Sequence, residues 1–164
     1  LGFRRVLFRS GSAAGLGLSI ALNADYVVAN HEARFGMLFA GIGLIPDGGG
    51  HFFLKERVGN HQAKQFIWSL EQISGEKAKE YGFVDLLTNG NALDAAKQLA
   101  QQLQASPLLA FIKTKEILHG QKLSELQVFL QEEKAGQFQA AGTKDHREGV
   151  RAFLEKRKPQ FQGK

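Results

Sequence analysis

Asp47 stands alone as an acid in the stretch Gly43-Leu44-Ile45-Pro46-Asp47-Gly48-Gly49-Gly50-His51. Proline fixes φ, and the three glycines let the backbone turn sharply and approach a ligand closely. A carboxylate held in such a turn, ahead of a helical run, has the chemistry of a proton-transfer group. The helix that follows offers free N–H groups and the positive end of its dipole to an anion. The simpler reading is that Asp47 caps the helix starting near His51. A second glycine turn upstream, Gly11-Ser12-Ala13-Ala14-Gly15-Leu16-Gly17, tips the balance toward catalysis, because two such turns can present backbone N–H groups to developing negative charge.

Other catalytic signatures fail. Gly15-Leu16-Gly17 begins like a dinucleotide loop, but Ile20 stands where the third glycine belongs. No lysine follows a glycine run as in a phosphate-binding loop. The histidines (31, 51, 61, 119, 146) form no pair at metal-ligand spacing, so no metal site is predicted. Ser12 and Ser19 lack histidine and acid partners. His51 is read as a helix-start residue facing solvent in preference to a catalytic base.

The 164 residues suffice for one domain with a real core, and 43% apolar with 23% charged residues is ordinary for a globular chain. The absence of cysteine excludes disulfides, thiolate metal sites and a cysteine nucleophile, and fits a reducing, cytoplasmic setting. The net charge of +5 owes much to Arg4, Arg5 and Arg9; residues 11–164 carry 18 basic against 16 acidic side chains. With no basic stripe interleaved with aromatics, nucleic acid is not an expected partner, and no stretch is apolar enough to suggest a membrane span.

The elements that must position Asp47 fall into three regions. Residues 1–10 mix arginine and apolar residues without a clean period. Residues 11–90 are glycine-rich with short apolar runs such as Asp25–Ala29, which predict buried strands separated by short helices, an α/β arrangement. Residues 91–164 read as helical. Asn91 and Asp94 start a helix with Leu93, Ala96, Leu99, Ala100 and Leu103 on one face. Ser106-Pro107 opens another that stops at Gly120, and Asp145 with Glu148 has capping-box spacing for a last helix ended by Pro159.

Residues 11–164 resemble the C-terminal part of the crotonase superfamily, the enoyl-CoA hydratases and isomerases. The resemblance rests on Gly11–Gly17, Ala24-Asp25, Ala33-Arg34-Phe35-Gly36, Gly43–Gly50, Ile73–Ala78, Tyr81–Val84, Ser106-Pro107, Thr143–Gly149 and Ala152–Phe161. The Leu44–Gly49 version is most similar to the isomerases that rearrange an epoxidised ring-phenylacetyl-CoA. The resemblance implies a spiral of ββα units followed by a helical region that builds a trimer, often a dimer of trimers. It also implies acyl-CoA thioester substrates, with CoA part of the substrate and no separate cofactor. One oxyanion donor falls on the backbone N–H of Leu16, and the substrate is expected to lie against Ala14, Gly15, Gly17, Phe39, Leu44, Pro46 and Gly48. Phe153 and Lys156, at i and i+3, fall where the family contacts the nucleotide end of CoA; on residue type alone, Phe153 reads as a core residue.

Hydratases of the family use two glutamates, and the matching positions here are Ser19 and Phe39. Neither exchanges a proton as a carboxylate does, so water addition loses ground. Asp47 falls where dienoyl-CoA and ring isomerases carry an acid, and one carboxylate can take a proton from one carbon and return it two carbons away. Phe39, Leu38 and Leu44 are expected to wall this acid with apolar surface. The family's longer N-terminal part, with the other oxyanion donor and most of the CoA-binding loop, has no counterpart here. The chain is therefore expected to be a truncated crotonase with a foreign segment at residues 1–10. The leading reading is an acyl-CoA isomerase. The alternatives are an enoyl-CoA hydratase or lyase with an atypical site, and an inactive fragment acting only in oligomerisation through residues 91–164, where Leu123, Leu126, Phe129 and Leu130 exceed what a small core covers.

Overall fold

The structure, a computed structural model, describes residues 6–164. Its first half builds two three-stranded sheets by a repeating pattern. Strand β1 (Val6–Arg9) is followed by β2 (Ser12–Ala14) and helix α1 (Leu16–Leu22); β3 (Tyr26–Asn30) is followed by β4 (Arg34–Gly36), a 3₁₀ turn (Phe39–Ile42) and α2 (Gly50–Ser69). β1 pairs with β3 in parallel, Val6 opposite Tyr26, and β2 with β4 in parallel, Ser12 opposite Arg34. Each ββα unit thus adds one strand to each sheet. The next strands depart from this order: β5 (Gln72–Ser74) joins β4 antiparallel, α3 (Gly75–Tyr81) intervenes, and β6 (Leu86–Thr88) completes the first sheet beside β3. Residues 6–9, which show no clean period, are a strand because β3 offers an edge for them to pair with.

β3 is the centre of the core. Val27, Val28 and Ala29 are fully buried, as a continuous apolar run in a doubly covered parallel strand requires. Leu18, Ala21, Phe35, Met37, Leu54 and Phe83 pack on one side. On the other, α4 (Ala92–Gln104) covers the sheet with Ala92 and Ala96 against Val28. Asn91 caps α4, its side chain accepting from the Leu93 N–H at 2.8 Å.

The remaining helices are α5 (Leu108–Gly120), α6 (Leu123–Ala141) and α7 (Lys144–Leu154). α7 starts differently from the expected capping box. Thr143 is the N-cap, its hydroxyl accepting from the His146 N–H at 3.0 Å. Asp145 instead accepts from the N–H groups of Gln162 and Gly163 at 2.7 Å, and Glu148 binds Arg157, so both acids clamp the C-terminal tail against α7. α7 presses on the 3₁₀ turn, where a Cβ on Gly149 would lie 2.6 Å from Ile42 Cα. Among the described residues no helix is long and apolar enough to cross a membrane.

Candidate active site

The two glycine turns meet. Gly15 (φ 55°) breaks from β2 into α1, its N–H donating to the Gly36 carbonyl at 2.9 Å, which anchors the first turn to the end of β4. Leu16 and Gly17 begin α1, so their N–H groups have no intrahelical acceptor. The Leu16 side chain lies over Gly48 (φ 65°), where a Cβ would stand 2.5 Å from Leu16 Cδ1. Ser19 is fully buried directly behind the second turn: a Cβ on Gly50 would lie 2.6 Å from its Oγ, which has no hydrogen-bond partner among the described residues.

Asp47 does not cap α2; Gly49 occupies that position without a side-chain bond. The cap comes from α6, across the chain. The Glu133 carboxylate, 4% exposed, accepts from the Gly49 N–H (2.8 Å), the His51 N–H (3.0 Å) and the His51 ring Nδ1–H (2.9 Å). Burial alone pushes the Glu133 carboxyl upward, but the His51 ring bond and the two backbone donors outweigh it and hold the group below the ordinary carboxylate value. His51 is thereby a partner of Glu133 and not a free surface residue, with 30% of its side chain exposed.

One helical turn further along α6, Gln137 binds the Asp47 turn twice. Its Oε1 accepts from the Ile45 N–H at 3.3 Å, and its Nε2 donates to Asp47 Oδ2 at 3.1 Å. The backbone bond fixes which end of the amide faces the acid. Asp47 Oδ1 is buried and has no hydrogen-bond partner among the described residues. One oxygen of the carboxylate is tied and the other is free to hold a proton.

A cleft of about 430 Å³ opens between this turn and α6. Leu44, Asp47 and Gly48 form one wall; Leu130, Glu133, Lys134, Gln137, Phe138 and Ala141 of α6 form the other, with His146 of α7 at the edge. The His146 ring is held through Nδ1 by the Ile42 carbonyl at 2.8 Å.

The sequence-predicted residues divide accordingly. Asp47, Leu44 and Gly48 line the cleft; Ala14, Gly15, Leu16, Gly17 and Phe39 are not among its lining residues, although Leu16 touches it through Gly48. Pro46 is fully buried, its Cβ only 3.2 Å from where a Gly50 Cβ would stand, and it is not among the cleft's lining residues. The apolar wall expected from Phe39 and Leu38 comes instead from Leu130, Phe138 and Ala141 beside Leu44, because Phe39 faces Gly15 and Leu38 faces Gly36. Phe153 is 73% exposed, which overturns its reading as a core residue. α7 ends at Leu154, and Lys156 lies beyond it in a left-handed conformation (φ 54°), so the two do not share a helix face.

Glu133 and Gln137 are the residues that the sequence reading missed. Their spacing with Leu130, Lys134 and Ala141 puts them on one face of α6, and the i, i+4 recurrence of Glu133 and Gln137 is the available signal. Of the expected interface residues, Leu126 and Phe129 turn inward, Phe129 meeting Phe52 edge-on at 5.7 Å, whereas Leu123 and Leu130 are exposed. α5 buries no residue and exposes Leu109, Ile117 and Leu118.

Comparison with known proteins points one way. The family model described as Enoyl-CoA hydratase/isomerase matches residues 8–164. The enoyl-CoA hydratase/isomerase YhaR of Bacillus subtilis (strain 168) is 49% identical over 93% of this chain and 60% of its own length. The 1,2-epoxyphenylacetyl-CoA isomerase of Escherichia coli (strain K12) is 38% identical over 94% of this chain and 60% of its length. The crystal structure of an enoyl-CoA hydratase from Mycobacterium avium subsp. paratuberculosis K-10 superposes with a TM-score of 0.87 at 34% identity, covering 96% of this chain and 64% of that one. The chain thus spans about 60% of the length of the curated relatives it matches.

Proposed function

Because the chain belongs to the enoyl-CoA hydratase/isomerase family, we propose that its site works on acyl-CoA thioesters, and that it isomerises them by proton transfer through Asp47. The observation that carries this is the asymmetric carboxylate: Oδ2 is tied to Gln137, while Oδ1 is buried beside the cleft with no partner among the described residues. Oδ1 takes a proton from a carbon conjugated to the thioester. The electron pair moves into the thioester carbonyl as an enolate, which the Leu16 N–H stabilises, and the same oxygen returns the proton two carbons away. No water is consumed. The 38% identical relative is named as an isomerase of a CoA thioester, which supports isomerisation as the reaction class.

Ser19 supports isomerisation over hydration, because it lies sealed behind the turn with no carboxylate to offer. Hydration or lyase chemistry is the second reading, favoured by Glu133, a second acid lining the same cleft. Its three donors keep it ionised and engaged, which leaves it poorly suited to exchange protons. In the full-length enzyme, Asp47→Asn is expected to lower turnover at least hundredfold with KM little changed. Near-normal turnover, or a 3-hydroxyacyl-CoA as the main product of the unsubstituted enzyme on an enoyl-CoA, would refute the isomerase reading.

The assembly we propose is a homotrimer or hexamer, supported by the exposed apolar residues of α5 and α6, in a cytoplasmic setting. An isolated fragment serving only oligomerisation is disfavoured by the tied carboxylate, which packing alone does not require. We place the CoA nucleotide at Phe153 and Lys156, both exposed near the chain's end. Lys156→Ala is expected to raise KM for CoA thioesters more than for pantetheine thioesters; equal effects would remove Lys156 from that role.

A further inference from the structure

Lys134 is the one cation lining the Asp47 cleft among the described residues, apart from the titratable ring of His146. Other lysines near α6 are paired: Lys55 with Glu125 and Lys122 with Glu56. Lys134 makes no hydrogen bond or ion pair among the described residues. Its neighbours at i±3 and i±4 are Leu130, Gln131, Gln137 and Phe138, so its own helix supplies no acid at pairing distance. Neither acid of the cleft is bonded to Lys134: Asp47 is tied through Oδ2 to Gln137, and Glu133 is bound by Gly49 and His51. His146 donates through Nδ1 to the Ile42 carbonyl, so in its neutral form it turns a lone pair, not a proton, toward any anion. Among the described residues, an ammonium with no bonded partner therefore lines a cleft flanked by Leu130 and Phe138.

We infer that this cleft accepts an acyl chain ending in an anionic group, a carboxylate, which Lys134 pairs with. Lys134 lies three residues, about 4.5 Å along the helix axis, from Gln137, which itself touches Asp47. A group bound by the lysine is thus close to the reacting carbons and within reach of a short acyl chain. The phosphates of CoA are separated from the thioester by the whole pantetheine arm, far longer than one helical turn. Entry of an acyl chain expels water from Leu130, Phe138 and Leu44, which strengthens the pairing between the ammonium and the carboxylate. A neutral chain of the same length leaves the ammonium partly desolvated without a partner, and is disfavoured for that reason.

This inference rests on the acyl-CoA reading of the site, and the test separates the two by using saturated thioesters that bind without reacting. Hexanedioyl-CoA and hexanoyl-CoA share the nucleotide, the pantetheine arm and the chain length, and differ in the terminal carboxylate. Calorimetric titration of the full-length protein is expected to show hexanedioyl-CoA binding about five- to tenfold more tightly. Lys134→Met should abolish that ratio and Lys134→Glu should invert it. Both substitutions lie at an exposed position, and circular dichroism checks their folding. Equal affinity for the two thioesters in the unsubstituted protein, or a ratio preserved in Lys134→Met, would overturn the inference. Equal weakening of both ligands by Lys134→Met would also overturn it, by assigning the lysine to the phosphates. Failure of both thioesters to bind at all would remove the acyl-CoA reading itself.

Discussion

Replacing Glu133 by glutamine tests the central joint of the molecule. The carboxylate accepts three bonds, at 2.8, 3.0 and 2.9 Å, while only 4% exposed. Glutamine has the same shape but keeps one acceptor oxygen and adds an N–H₂ group. Whichever way the amide turns, a donor faces either Gly49 N–H or the His51 groups, and at least one bond to a charged acceptor is lost with a buried donor stranded. Bonds to charged groups contribute roughly 1.5–3 kcal/mol each, and a stranded donor costs about 1–3 kcal/mol. The expected loss is therefore about 2–4 kcal/mol at pH 7, equivalent to a Tm lower by about 5–15 °C in a chain of this size.

Acid supplies the second arm of this test. The folded-state pKa of Glu133 lies below its unfolded value of about 4.5, so its contribution is fully present above that value and disappears as pH falls through the folded value. The gap between wild type and Glu133→Gln should narrow as pH drops below about 4.5. Urea unfolding followed by far-UV circular dichroism at pH 7 and in acid measures it, with exposed Glu132→Gln as a control expected to change stability by less than about 0.5 kcal/mol. Equal midpoints at pH 7, or a gap indifferent to acid, would refute the assignment of Glu133 as the cap of α2.

Gln137→Met removes the hold on Asp47 Oδ2 while keeping side-chain length, and is expected to lower kcat about tenfold with KM within twofold; a fall carried by KM alone would count against a positioning role. Gly48→Ala places a Cβ 2.5 Å from Leu16 Cδ1 at φ 65°, and should destabilise by about 1–3 kcal/mol. Adding Leu16→Ala should recover the steric part of that loss but not the backbone part, and strict additivity in the thermal melts of this double-mutant cycle would disprove the contact.

The sequence displays what is local. The buried run at Asp25–Ala29 became β3, Asn91 caps α4 as its side chain suggests, and Pro107 with Gly120 brackets α5. Asp47 was legible because a lone acid among glycines is chemically conspicuous. Its surroundings were not. Glu133 and Gln137 look like ordinary polar positions on a helix, and their roles exist only through contacts 82 to 92 residues away. The last helix shows the same limit at short range: Asp145 and Glu148 have capping spacing, yet the returning tail recruits both, leaving the cap to Thr143. Local spacing identifies which groups can bond, and tertiary docking decides which of them do.

The ties from α6 to the Asp47 turn have a consequence for the order in which the molecule comes to life. They join groups separated by 90, 84 and 82 residues, so each requires closure of a long loop before it forms. The helices of the second half depend on local contacts and form early by comparison. A refolding or newly synthesised chain is therefore expected to form these helices before the ties that orient Asp47. Until α6 seats against the second turn, α2 lacks its cap and the Asp47 carboxylate lacks its fixed geometry.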